Sequence, residues 1–203
     1  YHHDEGEGMD MYNVGRSRGA GGTGVWDGGR LATSGNYASW KVLANGPVRA
    51  VFELAYDAWD AAGTRVAEVK RFTVDAGHQL DRIDSTFTFS GPAALTVAVG
   101  LNKTPSDKKQ QARIALVRDD AGHALLQWVE QASNGAFGTA IILPTASGYA
   151  EDTLNDLVLA KVESGKPLRY WVGAAWDRAG RIASKAAWQA YVAAEAGRIA
   201  HHV

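Results

Sequence analysis

The sequence predicts a mainly β protein, a large antiparallel β-sandwich with one C-terminal α-helix. Three observations point there. Apolar side chains recur at every second residue over much of the chain, the period of strands half-buried in a sheet. Glycine-bearing turn signals separate these runs at hairpin spacing: Asp27-Gly28-Gly29, Asn45-Gly46-Pro47, Ala62-Gly63, Ala76-Gly77, Ala121-Gly122 and Asn134-Gly135. No strand-helix-strand rhythm interrupts them, which excludes a doubly wound α/β design and leaves sheets packed face to face.

The elements follow in order. Glycines 15, 19, 21, 22 and 24 precede the first strand. In 48–56, Val48, Ala50, Phe52, Leu54 and Tyr56 share one face while Arg49, Glu53 and Asp57 take the other. The next strand, 65–74, answers it across the turn at 59–64 and ends at Asp75-Ala76-Gly77. In 80–90, Ile83, Phe87 and Phe89 alternate with Arg82, Asp84, Thr86 and Thr88, so one face of this sheet is expected to be unusually polar. Further strands are expected at 95–101, 113–118, 124–129, 138–143, 157–162 and 168–176. Ser184 can cap a helix running to about residue 200, with Ala187, Tyr191, Ala194 and Ile199 on one face; it is expected to pack on the sandwich or close its edge.

At 203 residues and 46% hydrophobic content the chain is read as a single domain, 1–203, with ample core. It begins at Tyr1 rather than at methionine, and an N-terminal truncation is the expectation. Its 21 basic residues balance 22 acidic ones, so there is no electrostatic footprint for nucleic acid or an anionic membrane. No apolar run has membrane-spanning length, and the chain is expected to be soluble. Zero cysteines excludes disulfides, thiolate metal sites and a cysteine nucleophile. No G-x-S-x-G elbow joins a strand to a helix, since Gly15-Arg16-Ser17-Arg18-Gly19 leads into a strand instead; H-E-x-x-H and a G-x-G-x-x-G between strand and helix are absent.

Chemistry concentrates at the start. Tyr1-His2-His3-Asp4-Glu5-Gly6-Glu7-Gly8-Met9-Asp10-Met11-Tyr12 crowds imidazoles and carboxylates between glycines, where a hydrophobic core gains nothing from them. Imidazole and carboxylate together suit a divalent cation, with Asp4 and Glu5 the ligand candidates; the spacing matches no established ligand pattern, and working without a cofactor is the other expectation. The same stretch holds a base and an acid, His3 and Tyr12, and Arg16 is placed to neutralise a substrate carboxylate. His2, Asp10, Trp26, Trp176 and Lys103 are the substrate-binding candidates. Seven tryptophans exceed the ordinary needs of a core, and Trp26, Trp40, Trp171 and Trp176 are candidate platforms for the apolar faces of sugars. Lys103, Lys108 and Lys109 around Pro105 mark 102–111 as a loop that could close over a site. Structural roles compete for the same residues: Asp4 and Asp10 capping turns, Tyr12 and the tryptophans packing, Arg16 paired with an acid.

The motif Tyr1-His2-His3-Asp4-Glu5-Gly6-x-Gly8-Met9-Asp10-x-Tyr12-x-Val14-Gly15, followed by Gly19-Ala20-Gly21-Gly22, resembles a bacterial family known as domain of unknown function 4861. Asn45-Gly46-Pro47 leading into Phe52-Glu53-Leu54, and the Asp75-Ala76-Gly77 turn, share that resemblance, which spans the whole chain and corresponds to the C-terminal part of family members. It implies a sandwich similar to the galactose-mutarotase-like supersandwich, a periplasmic or secreted location, and work on carbohydrate, particularly uronate-containing chains. The expected activity is therefore β-elimination on uronate oligosaccharides, of lyase or dehydratase type. Arg16, or a cation at Asp4 and Glu5, would stabilise the charge developing on the carboxylate, while His3 or Tyr12 removes the ring proton and the other protonates the leaving oxygen. A mutarotase or epimerase, or a non-catalytic carbohydrate-binding module, are the alternatives. Carbohydrate is the expected partner; nucleic acid and membrane are not.

Overall fold

The computed structural model of the protein describes residues 2–6 and 8–201; Tyr1, Glu7, His202 and Val203, and with them part of the opening cluster, lie outside the described residues. The strands are β1 (Ala20–Asp27), β2 (Arg30–Ala32), β3 (Tyr37–Asn45), β4 (Arg49–Ala61), β5 (Thr64–Asp75), β6 (Leu80–Thr88), β7 (Leu95–Asn102), β8 (Arg113–Asp119), β9 (Ala124–Glu130), β10 (Ala136–Ile142), β11 (Gly148–Glu151), β12 (Asn155–Val162) and β13 (Pro167–Trp176). One helix, α1 (Lys185–Ala200), follows. The strands form a five-stranded sheet, β11-β12-β7-β1-β2, and an eight-stranded sheet, β3-β4-β5-β6-β13-β10-β9-β8, with every ladder antiparallel.

The smaller sheet seats β1 and β7 against β10 and β13 of the larger one. Val25, Val97, Val99 and Leu101 from one side meet Ile83, Phe87, Ile141 and Tyr170 from the other, all buried. Alternation in 80–90 is therefore the inward-outward pleat. The outward residues of neighbouring strands pair their charges: Arg71 with Glu53 at 2.6 Å, Arg169 with Asp84 at 2.6 Å, and Arg49 with Asp75 at 2.5 Å. This is the polar face the sequence announced; each pair is solvated and contributes little to stability.

β9 and β10 break the alternation because both their faces are covered. Leu125 and Ile141 point into the sandwich, while Leu126, Trp128, Ala140 and Ile142 pack beneath α1. Ser184 accepts from the Ala187 N–H at 3.2 Å and starts that helix, as a side-chain oxygen at this position does. Of the expected face, Ile199 is buried and Tyr191 packs against the same cluster, but the two alanines do not reach it. Trp188, Val192, Glu195, Ala196 and Ile199 are buried, whereas Ala187 and Ala194 are exposed, because the large apolar side chains set the contact and alanines follow.

Three strands escaped the sequence reading. β2 and β11 are too short to show a period, and β3 is exposed along all nine of its residues, Trp40 at 66%, so it carries no inward-outward contrast. The glycines at 21, 22 and 24 lie within β1 rather than before it. A Cβ at Gly24 would stand 2.7 Å from the Leu31 side chain, and one at Gly21 2.8 Å from Val172, so bare backbone lets β1 approach its neighbours.

Candidate functional site

The described residues of 2–13 carry no helix or strand, and their position is set by polar side chains reaching out of the sandwich. The Asn102 amide at the end of β7 donates to the Asn13 carbonyl at 2.5 Å, and the Asn13 N–H donates to the Pro105 carbonyl at 2.8 Å. Gln131, just after β9, donates to the Met11 carbonyl at 3.2 Å and to Ser106 at 2.8 Å. At the other side Arg178, which follows β13, reaches the Asp4 carboxylate at 3.3 Å and the Ser133 carbonyl at 2.6 Å. Asp4 and Asp10 also accept from the backbone N–H two residues on, Gly6 and Tyr12, and hold the local turns.

So held, the segment walls two adjoining clefts. One, of about 570 Å3, is lined by His2, His3, Asp10, Tyr12, Lys109 and Gln131 among others. The second, of about 510 Å3, shares residues 9–12 as its wall and adds Phe137, Ala175 and Trp176. The first is polar, with Asp10, Asp107 and Lys109 as its charged groups; the second offers aromatic surface. Trp176 donates its indole N–H to the Asn134 carbonyl at 2.9 Å, with the Arg178 guanidinium 5.9 Å from its ring. Tyr12 packs edge-on against Phe137 with 5.8 Å between ring centroids.

Of the residues singled out from sequence, His2, His3, Asp10 and Tyr12 come together in one cleft, and Trp176 stands in the next. His2 Nδ1 lies 4.0 Å from the Asp10 carboxylate. Tyr12 meets the clefts with its ring, while its hydroxyl is buried. Burial pushes that phenol up to about 12, against a smaller opposing effect of the Asn102 backbone, so it stays protonated through the neutral range. Arg16 stands apart on an exposed turn and, among the described residues, makes no ion pair or side-chain hydrogen bond. Lys103 is engaged by Glu151 at 2.5 Å, and Trp26 faces Leu31 on the β1–β2 ladder; neither lines the two clefts. Glu5 is exposed, Asp4 is taken by Arg178, and no group of three or more His, Asp or Glu suited to a metal occurs among the described residues.

The cation that does enter the cleft is Lys109. It sits on a 3-10 turn, Lys108–Gln110, whose entry is capped by the Asp107 carboxylate accepting the Lys109 N–H at 2.8 Å. The lysines of 102–111 gave a local signal for it. Gln131 and Asn134 gave none, because they are distant in sequence and arrive through the β9–β10 turn. Glu68 and Lys70, both buried, were also passed over, although charges at alternate positions between Val66 and Phe72 place them on an apolar face.

The profile of the family described as Domain of unknown function (DUF4861) matches residues 1–203. A protein of Formosa agariphila, described as Uncharacterized protein P7, is 30% identical over 200 residues, covering 95% of this chain and 48% of that protein. The chain thus spans about half the length of the curated relative it matches. With a family match over its whole length, the chain belongs to the DUF4861 family.

Proposed function

We propose that the protein acts on uronate-containing oligosaccharides by β-elimination, in the paired clefts beside residues 9–12. The observation that carries this reading is their shared wall, with imidazoles, the carboxylates of Asp10 and Asp107 and the Lys109 ammonium on one side and the indole of Trp176 on the other. A pyranose ring has the matching character, one apolar face and a polar edge. Lys109 supplies the positive charge beside the uronate carboxylate that Arg16, set apart on its turn, does not. His3 takes the proton from the carbon next to that carboxylate. The electron pair forms the new carbon–carbon double bond, the glycosidic oxygen departs, and His2, oriented by Asp10, returns a proton to it. Tyr12 supports the wall, its hydroxyl being buried and its phenol a poor acid and a weak base in the neutral range. This reading puts the protein where polysaccharide fragments reach it, in the periplasm or outside the cell.

The test is ultraviolet absorbance of conjugated uronate after mixing with a panel of uronate oligosaccharides, with and without chelator. Turnover that falls about 100-fold or more in His3→Gln and less than about tenfold in Tyr12→Phe is the expected result. Turnover unchanged in His3→Gln removes that residue from the mechanism. A flat trace with altered anomeric or epimeric composition would move the reading to a mutarotase or epimerase, which needs an acid and a base and expels nothing. Affinity without any turnover would make the clefts a carbohydrate-binding surface.

A further inference from the structure

A third cleft opens elsewhere, at the uncovered margin of the sandwich, and its floor is charged. Glu68 and Lys70 on β5 project inward, their side chains only 2% and 7% exposed, with Lys70 Nζ 3.5 Å from Glu68 Oε1. Glu68 accepts from Thr23 at 2.8 Å and from Ser85 through a short hydrogen bond. Lys70 lies 3.3 Å from the Tyr170 hydroxyl, which spends its own proton on the Gly21 carbonyl at 2.8 Å. Arg18 completes the floor. Its stem passes over Gly100, where a Cβ would stand 2.7 Å from it, and its guanidinium donates at 3.5 Å to the Thr23 carbonyl. Tyr37 and Tyr56 form the rim of a space of about 300 Å3.

Burying the Glu68–Lys70 pair beside the half-buried Arg18 is costly unless geometry repays it, and apolar residues would serve a purely structural sandwich better. Here the repayment is incomplete. Beyond Glu68, the ammonium of Lys70 has one hydrogen-bond partner, Tyr170, for three N–H donors, and Arg18 spends one of five on a long contact. Two cations against one carboxylate leave the cleft one positive charge in excess. A monoanion satisfies it, while a dianion would add repulsion against Glu68. The phenols at the rim match a ligand that also carries hydroxyls, and the volume suits a single small molecule.

We propose that this cleft is a binding site for a small polyhydroxylated monocarboxylate, held by charge-assisted hydrogen bonds from Arg18 and Lys70. The site is separate from the His2–Tyr12 clefts and requires no turnover there. D-glucuronate and D-glucose, which share a ring and differ in the carboxylate, are the probes, titrated calorimetrically into the chain at low ionic strength. Glucuronate is expected to bind in this cleft and glucose at least about tenfold more weakly there, the worth of one charge-assisted contact. Arg18→Gln should weaken glucuronate about tenfold or more at unchanged melting temperature, and His3→Gln should leave it unaltered. The double variant Glu68→Gln/Lys70→Met, which keeps the core free of unpaired charge, should also lose binding. No glucuronate binding, equal binding of glucose, or binding that survives Arg18→Gln but disappears in His3→Gln would overturn the proposal.

Discussion

Replacing Lys70 with methionine isolates what the buried pair contributes. Methionine fills nearly the same volume, so packing changes little and the loss is electrostatic. The Glu68 carboxylate is left 2% exposed with its partner gone. Breaking a buried pair from one side costs about 3–5 kcal/mol, and the hydrogen bonds from Thr23 and Ser85 that remain on Glu68 place this case near the lower end, about 3 kcal/mol. Adding Glu68→Gln removes the stranded charge while an amide oxygen still accepts from Thr23, so the double variant should recover about 2 kcal/mol of that loss. Urea unfolding followed by circular dichroism, with the denaturant dependence held constant across the cycle, reads both numbers. A Lys70→Met variant within about 0.5 kcal/mol of the parent, or a double variant no more stable than the single, would show that Glu68 is hydrated through the cleft and that the pair is not a buried one.

The remaining predictions test packing, the opening segment and its ionisation. Gly138→Ala should destabilise by about 1–3 kcal/mol, because its Cβ would stand 2.5 Å from the fully buried Trp188 indole, which has nowhere to retreat; an unchanged unfolding midpoint would refute this. Asn102→Ala removes the tie to the Asn13 carbonyl and should speed proteolysis within residues 2–13 while costing only about 1 kcal/mol in global stability, as read by limited digestion and urea unfolding. Tyr12 has its folded-state ionisation raised from 10.0 to about 12, so its contribution is complete below pH 10 and is lost as pH climbs through 12. Over that window the parent should lose about 2 kcal/mol that Tyr12→Phe does not, and parallel loss in both proteins would remove Tyr12 as the cause.

How much of this was legible depended on how local the signal was. The hairpins at Ala62-Gly63, Ala76-Gly77 and Asn134-Gly135 were readable because turn chemistry and strand alternation both lie within a few residues. The helix was readable from Ser184 and its composition, but its contact face was set by the flat seat over Gly138 that only Trp188 fills, a fact about a strand far away in sequence. In the site, residue type was legible and direction was not. His3 and Tyr12 share a cleft, yet Arg16, four residues on from Tyr12, turns away into solvent, while Lys109 comes in from another loop. Glu68 and Lys70 escaped because charged side chains on a strand read as its solvent face, and only the second sheet makes that face the interior.

The two regions proposed as sites share one mechanical support. Asn102 and Asn155 are directly paired across β7 and β12, at the end of the smaller sheet. Asn102 holds the Asn13 carbonyl at 2.5 Å, and the Asn155 side-chain oxygen Oδ1 accepts the Arg18 backbone N–H at 2.6 Å. The intervening turn is closed by Ser17, whose hydroxyl bonds the Val14 carbonyl at 2.7 Å and receives the Gly19 N–H at 3.0 Å. Both asparagines are themselves fixed, Asn155 by Asp152 at 3.0 Å and the Asn102 carbonyl by buried Gln127 at 2.9 Å. The chain therefore leaves the His2–Tyr12 clefts on one side of this clamp and enters the Arg18 cleft on the other. Irregular backbone gains precision in this way, through side chains anchored in a rigid sheet rather than through hydrogen bonds of its own. Loosening either asparagine should disturb both regions together, a coupling that no feature of the opening segment alone would produce.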